Sequence, residues 1–183
     1  MIVPTIILKT QRLLLKAVTP NIYTGVIDTY TDEQLMDFFG FTTADQLYKE
    51  RQRRAQGASS YTSTFLFFII VDIASNKTIG SAGYYRHYPN HNRGEIGYIL
   101  TDETFRNRGL IKEALPVIIN YGFNEMNLHR IEAFVAPDNL PSLRIMELFG
   151  FTKEGHLRQH YFTNGKHDDS VVFSLLRSEW KSL

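Results

Sequence analysis

The segment from Glu95 to Leu115 constrains the fold more than any other part of the chain. An apolar run from Ile96 to Leu100 passes through a short polar loop into Arg106-Asn107-Arg108-Gly109, where a helical pattern starts. A strand that feeds a helix across a basic, glycine-bearing turn builds an anion site. The first N–H groups of a helix lack internal partners, and the helix dipole concentrates positive potential on them. Gly109 permits close approach of a ligand to the backbone. Arg106 and Arg108 add forked guanidinium donors suited to phosphate oxygens. The matching ligand is a polyphosphate-bearing cofactor.

The rest of the chain fits one globular domain over residues 1–183. Its hydrophobic content of 43% and charged content of 21% are ordinary for a soluble protein. A net charge of +1 argues against a nucleic-acid binder that relies on a broad basic surface. There are no cysteines, which excludes disulfides, thiolate zinc sites and a cysteine acyl-enzyme. The apolar run from Phe65 to Val71 is far short of the ~20 residues a membrane helix needs. The opening Met1 to Leu8 is too short for a signal core and lacks a basic start. A cytoplasmic protein with no membrane partner is expected, and the Asn76-Lys77-Thr78 sequon carries no weight there.

Periodicity and turn chemistry divide the chain into alternating elements. Ile6 to Val18 reads as one strand, broken at Thr19-Pro20, and residues 21–39 as one or two short helices. Thr43 to Gln56 is a polar helix ended by Gly57. Thr64 to Asp72 is a buried central strand, joined through Ser75-Asn76-Lys77 to a second strand over Thr78–Tyr85. His87 to Gly94 is expected as a polar loop before the strand at 95–100. The helix from about 109 should bury Ile111, Leu115, Ile118 and Gly122, with Glu113, Asn120 and Asn124 outward and Pro116 bending it. Arg130 to Val135 is the next strand. Asn139 is a good N-cap for a short helix with Pro141 in its first turn and Gly150 at its end. Strands at 153–162 and 168–176 close the chain around an Asn164-Gly165 hairpin turn. The composite is α/β (α+β), a mixed central sheet with helices on both faces.

Three segments carry a family resemblance. Arg106-x-x-Gly109-x-x followed by Lys112-Glu113-Ala114-Leu115 is similar to the acyl-coenzyme A signature of GNAT N-acetyltransferases. Asn139-x-x-Ser142, Gly150-Phe151 and Glu154-Gly155 resemble the pattern of the RimJ/RimL branch, which acetylates ribosomal-protein N-termini. Leu8-Lys9-Thr10-Gln11-Arg12-Leu13 resembles that branch's first strand. There are two departures. Ile111 stands where the signature prefers Gly or Ala, and Met146 stands where many GNAT enzymes carry a tyrosine general acid.

The resemblance implies a GNAT fold in which strands 95–100 and 130–135 splay apart. It implies acetyl-CoA as co-substrate, with its pyrophosphate on Arg106, Asn107, Arg108 and Gly109 and on the main-chain N–H groups of Leu110, Ile111 and Lys112. The pantetheine arm would run along the free edge of the 95–100 strand. An N–H near Ile99 or Leu100 would face the thioester carbonyl. Asn139 would hold the pantetheine, and Ser142 would donate to the leaving thiolate. Glu95 is the candidate general base. Tyr84, His160 and Tyr161 are candidates for the acceptor pocket by chain position.

Each residue also has a plainer role. The basic turn is also compatible with solvated surface, Asn139 and Ser142 with helix capping, and Glu95 with a strand-end partner for Arg93 or Arg86. His156 and His160, four apart on one strand, should share a face with Arg158; a zinc pair would need a carboxylate the sequence does not supply, so no metal is expected. Gly80-Ser81-Ala82-Gly83 lacks the spacing of a nucleophile elbow. The leading expectation is an acetyl-CoA-dependent N-acetyltransferase in which the amine attacks directly. The acceptor is a protein N-terminal α-amine or, alternatively, a small-molecule amine or antibiotic. A coenzyme A-binding module without catalysis is the rival from another class. A monomer and a homodimer both remain open.

Overall fold

The computed structural model describes residues 6–55, 62–163 and 165–181. The helix end at Gln56-Gly57 and the turn residue Asn164 lie outside them. Eight strands form one mixed sheet in the order β1-β2-β3-β4-β5-β6-β8-β7. In chain order the elements are β1 (Ile7–Lys9), β2 (Leu13–Val18), α1 (Pro20–Thr29), α2 (Asp32–Phe39), α3 (Ala44–Ala55), β3 (Thr64–Asp72), β4 (Lys77–Tyr88) and β5 (Arg93–Leu100). Then follow α4 (Leu110–Asn124), β6 (Arg130–Val135), α5 (Leu140–Leu148), β7 (Thr152–Thr163) and β8 (Lys166–Leu176).

Two apolar layers sandwich the sheet, which is why β3 reads as a near-continuous Phe, Leu and Ile run rather than an alternation. Phe68 and Ile70 point into the core shared with Leu115, Ile118 and Ile119 of α4 and Met146 of α5. Phe65, Phe67 and Ile69 point the other way, among Tyr23, Val26, Leu35, Phe39 and Leu47 of α1 to α3. The side chains of Thr19 and Thr31 cap α1 and α2, and Gln34 completes a capping box on α2.

Three expectations are revised. The first predicted strand is a hairpin: Thr10 to Arg12 turn the chain so that β1 pairs with β2. Half of the predicted loop at 87–94 is strand, because β4 runs to Tyr88 and β5 restarts at Arg93 around one short 3-10 turn at Pro89–His91. On α4, Glu113 and Asn120 are half-buried rather than outward, each holding a partner far along the chain. Pro116 does lie inside that helix.

The feature that positions the site is a ladder that stops. β5 and β6 are parallel neighbours, yet only Arg93–Arg130, Gly94–Ile131 and Glu95–Glu132 are in register. Beyond Glu95 the strands separate. A bulge in β4 between Tyr84 and Arg86 lies directly opposite the vertex and adds local twist. The two strand ends therefore diverge toward the start of α4 on one side and of α5 on the other.

Candidate active site

Amide direction along β5 follows from one hydrogen bond. Thr101 N–H donates to the Ile79 carbonyl of the neighbouring chain segment at 3.0 Å. Successive amides on a strand point to opposite edges, so those of Ile99 and Gly97 face β4, and those of Tyr98 and Leu100 face the gap. The Ile99 carbonyl agrees: it lies 2.1 Å from where a Cβ on Gly80 would stand. Of the two positions predicted to offer an oxyanion donor, Leu100 has the correct direction and Ile99 does not. The Ile99 side chain is exposed and that of Leu100 packs on the α4 and α5 core.

The turn before α4 is open and clamped from behind. Gly109 is the N-cap in the left-handed region (φ 71°), and no side chain caps the helix. A Cβ built on Gly109 would meet only Arg12 Nη2, at 3.9 Å, so the space before the first N–H groups is free. Asn107 is also left-handed (φ 60°), a conformation Asn tolerates. Arg106, Asn107 and Arg108 are exposed; Arg106 pairs with Glu103 at 2.9 Å, and the Arg108 guanidinium lies over the Phe105 ring. Leu110 is buried, Ile111 half-buried and Lys112 exposed. The Ile111 side chain packs against the apolar core.

Arg12 holds this turn, a role that sequence reasoning missed. Its Nη1 donates to the Arg108 carbonyl at 3.0 Å and its Nε to Glu113 Oε2 at 2.6 Å. The Arg12 N–H and the Thr10 hydroxyl donate to Glu113 Oε1. Burial pushes the Glu113 carboxyl up, but those hydrogen bonds and the Arg12 charge outweigh it and hold it below the usual range. The only signal available beforehand was the Thr-x-Arg spelling of the first hairpin.

At the vertex, Glu95 and Glu132 stand side by side in register. Glu132 is fully engaged, by Arg93 at 2.5 Å and Arg130 at 2.8 Å, and Arg130 continues to Glu154 at 3.0 Å. Glu95 has a looser ion pair, with Arg86 at 4.0 Å. Burial pushes its carboxyl above the usual range, against Arg86 and with help from the Glu132 charge. Tyr161 approaches it: burial foremost, then the Glu95 charge, raises the Tyr161 hydroxyl. The His160 ring lies against Tyr161, tilted by 43° with ring centroids 4.3 Å apart, and hydrogen-bonds Ser170 at 3.1 Å. Glu95, His160 and Tyr161 thus gather on one side of the gap.

A kink in β7 makes that gathering possible. Gln159 is left-handed (φ 52°) and its N–H donates to Asp169 at 2.8 Å, within a register shift between Leu157 and Tyr161. Alternation breaks there, so His156 and His160 do not share a face as predicted. His156 meets Asp169 at 2.7 Å while His160 meets the adjacent Ser170. Among the described residues no group of three His, Asp or Glu side chains could hold a metal ion.

Tyr84 leaves the predicted acceptor pocket. It is 0% exposed, and its hydroxyl donates to the Ile118 carbonyl at 3.1 Å, beneath α4. Gly122 is required there, since a Cβ would stand 1.9 Å from the Tyr84 oxygen. Tyr84 shares its face with Ala82, two residues earlier on β4, and the bulge follows it.

On the far side of the gap, Asn139 caps α5 by accepting from the Ser142 N–H at 3.2 Å. Asn139 is exposed and Ser142 half-buried. The Tyr98 hydroxyl, on β5, is buried without a hydrogen-bond partner among the described residues. Burial pushes the Tyr98 hydroxyl above its usual pKa, and Ser142 pulls the other way. Leaving a buried hydroxyl unpaired costs about 1–3 kcal/mol. Met146, in the next turn, is buried and offers no proton.

Comparisons with known proteins agree with this geometry. A family model described as the acetyltransferase (GNAT) domain matches residues 12–152. The chain is 29% identical to the uncharacterized N-acetyltransferase YoaA of Bacillus subtilis over 172 residues, 93% of this chain and 97% of the relative. A spermidine N(1)-acetyltransferase of Vibrio cholerae is 28% identical over 111 residues, 61% of this chain and 64% of that one. The crystal structure of a ribosomal-protein-S5-alanine acetyltransferase from Vibrio fischeri superposes with a TM-score of 0.65 at 21% identity, covering 96% of this chain and 99% of that chain. A strand edge left open beside an uncapped helix start is what such a fold presents to its acyl donor, and the chain is an N-acetyltransferase of the GNAT family.

Proposed function

We propose that this enzyme transfers acetyl from acetyl-CoA to a protein N-terminal α-amine, by direct attack within a ternary complex. The observation that carries the reading is the halted β5–β6 ladder, flanked by the open α4 start and by Ser142. Gly109 and the N–H groups of Leu110, Ile111 and Lys112 hold the pyrophosphate, with Arg106, Asn107 and Arg108 around it. Tyr98 and Leu100 amides pair with the pantetheine arm, and Asn139 holds it from the α5 side. The Leu100 N–H then stabilises the charge that builds on the thioester oxygen. Glu95, ionised, takes the amine proton directly or through water, and Ser142 donates to the departing thiolate.

The vertex favours a singly charged acceptor over a polyamine. A polyamine needs several free carboxylates, but Arg93 and Arg130 neutralise Glu132, leaving Glu95. An α-amine with a pKa near 7.8 is roughly a tenth neutral at pH 7, whereas a lysine near 10.4 is neutral to under about 0.1%. One carboxylate of raised pKa is a sufficient base for the former. The test is thiol release from acetyl-CoA across N-terminal peptides, polyamines and aminoglycosides. Peptides should turn over fastest; preference for a polyamine overturns the acceptor assignment, and no turnover with any amine overturns the reading entirely.

A further inference from the structure

We propose that the acceptor is a chain whose first residue carries an apolar side chain, seated on the face of β5 and β6 turned away from α4 and α5, against Ile99, Phe134 and Tyr161. The inference rests on the reading above that an N-terminal amine attacks at the halted ladder, and it narrows which N-termini qualify. Alternation and packing separate the two faces. Ile96, Tyr98 and Leu100 of β5 and Ile131, Ala133 and Val135 of β6 join the core with α4 and α5. The alternation of β5 is unbroken, since each residue from Ile96 to Leu100 pairs with one of β4. Glu95, Gly97 and Ile99, with Glu132 and Phe134, therefore line the opposite face.

Gly97 and Phe134 stand opposite each other as the gap opens, two residues beyond the last rung, Glu95–Glu132. At that point β5 brings no side chain. A Cβ on Gly97 would come within 3.0 Å of the Tyr85 ring. That ring is pinned: it stacks on Phe67 with centroids 5.3 Å apart, and its hydroxyl lies 2.7 Å from Ser81 Oγ. On the β6 side the Phe134 and His160 ring centroids are 5.0 Å apart and those of His160 and Tyr161 4.3 Å, so three rings from β6 and β7 make one wall. Past Gly97, the Ile99 side chain is 53% exposed. A carboxylate beside such a patch suits a ligand that is oriented by its amine and selected by its side chain. Glu95 lies at the vertex and the Leu100 N–H toward the far end, so the residue bearing the attacking amine lies over Gly97 and Ile99 between them. Its amine meets the carboxylate, and its side chain meets Ile99 and the ring wall. A charged or hydroxyl-bearing first side chain would lose water against Ile99 and Phe134, which offer it no hydrogen bond.

The experiment measures steady-state acetyl transfer to peptides identical after the first residue, which is Met, Leu or Phe in one set and Ser, Gly or Asp in the other. The apolar set should have kcat/KM about tenfold higher or more, the discrimination an apolar pocket delivers for a methylene or two. Ile99→Thr keeps a β-branched side chain while making it polar, and Phe134→Ala removes a ring. Each should cut the ratio between the sets to about threefold or less, chiefly by raising KM for the apolar peptides. Calorimetric Kd for acetyl-CoA should stay within about twofold, because neither side chain points toward α4 or α5. Melting curves check folding; Ile99→Thr, at an exposed position, carries the test if Phe134→Ala does not fold. Equal rates for the two sets, or a preference for Ser, Gly or Asp, overturn the inference and leave N-terminal acetylation standing. A ratio unchanged in both variants also overturns it, since selection then occurs elsewhere. Turnover of polyamines or aminoglycosides in place of every peptide overturns the reading on which it rests.

Discussion

Gly109→Leu separates cofactor binding from folding, because the strain it introduces can be reproduced elsewhere. Gly109 sits at φ 71° and Gly150 at φ 72°, and a Cβ at Gly150 meets nothing within 4 Å. Placing an ordinary residue in the left-handed region costs about 1–2 kcal/mol. For a chain of this size that lowers Tm by about 2–8 °C, well short of unfolding it. Gly109→Leu and Gly150→Leu should therefore lose similar stability. At Gly109, though, the side chain enters the space before the free N–H groups of α4. Losing one charge-assisted hydrogen bond costs about 1.5–3 kcal/mol, which raises Kd about 10–100-fold. Calorimetric titration with acetyl-CoA should show that rise for Gly109→Leu, with Gly150→Leu within about twofold of the wild type. If both variants fold and bind alike, the pyrophosphate is not held at this turn.

Other expectations follow from the same geometry. Glu95→Gln should lower kcat/KM about 100-fold and flatten the acidic limb of the pH–rate profile, since the base works only when ionised. Because the folded-state pKa of Glu95 is raised, its contribution to stability is complete below its unfolded pKa and is lost as pH rises through the folded one. Melting curves near pH 7 should then show Glu95→Gln no less stable than the wild type. Arg12→Ala should weaken acetyl-CoA binding about 3–10-fold and lower Tm by about 1–4 °C, a modest loss because Arg12 is 47% exposed. The Glu113 carboxyl is lowered, so its stabilisation is present above its unfolded pKa and fades as pH falls through the folded one; in Arg12→Ala that acid-side loss should shrink. Tyr84→Phe should cost about 1 kcal/mol in denaturant melts through the lost bond to Ile118, with acetyl transfer unchanged. A large activity loss there would return Tyr84 to the acceptor pocket.

What the sequence disclosed was local. The α4 turn was legible because a basic, glycine-bearing turn after a strand has one strong physical use, and Asn139 because capping is set by neighbours in the chain. The hairpin at Thr10 to Arg12 was not, since it lacks Gly, Pro or Asn-Gly turn chemistry. The kinks were hidden for a related reason. A bulge beside Tyr84 and a left-handed Gln159 each reverse which face the following residues take, and neither residue type announces it. Alternation alone therefore paired His156 with His160, and chain position alone placed Tyr84 in the acceptor pocket. The Arg12–Glu113 relation joins segments far apart in sequence, which only the fold brings together.

On the binding mode proposed above, the halted ladder also makes the acyl donor part of the architecture. Without it, the outward edge of β5 at Tyr98 and Leu100 must be satisfied by water, and those amides should exchange hydrogen quickly although they belong to a central strand. With it, the same edge gains a ninth, borrowed strand and should exchange slowly. At a hundred times its Kd a ligand adds about 2.7 kcal/mol to folding stability. On that binding mode the fold is at its most rigid while loaded and relaxes when coenzyme A departs, so the catalytic cycle would also be a cycle of tightening and loosening in the middle of the sheet.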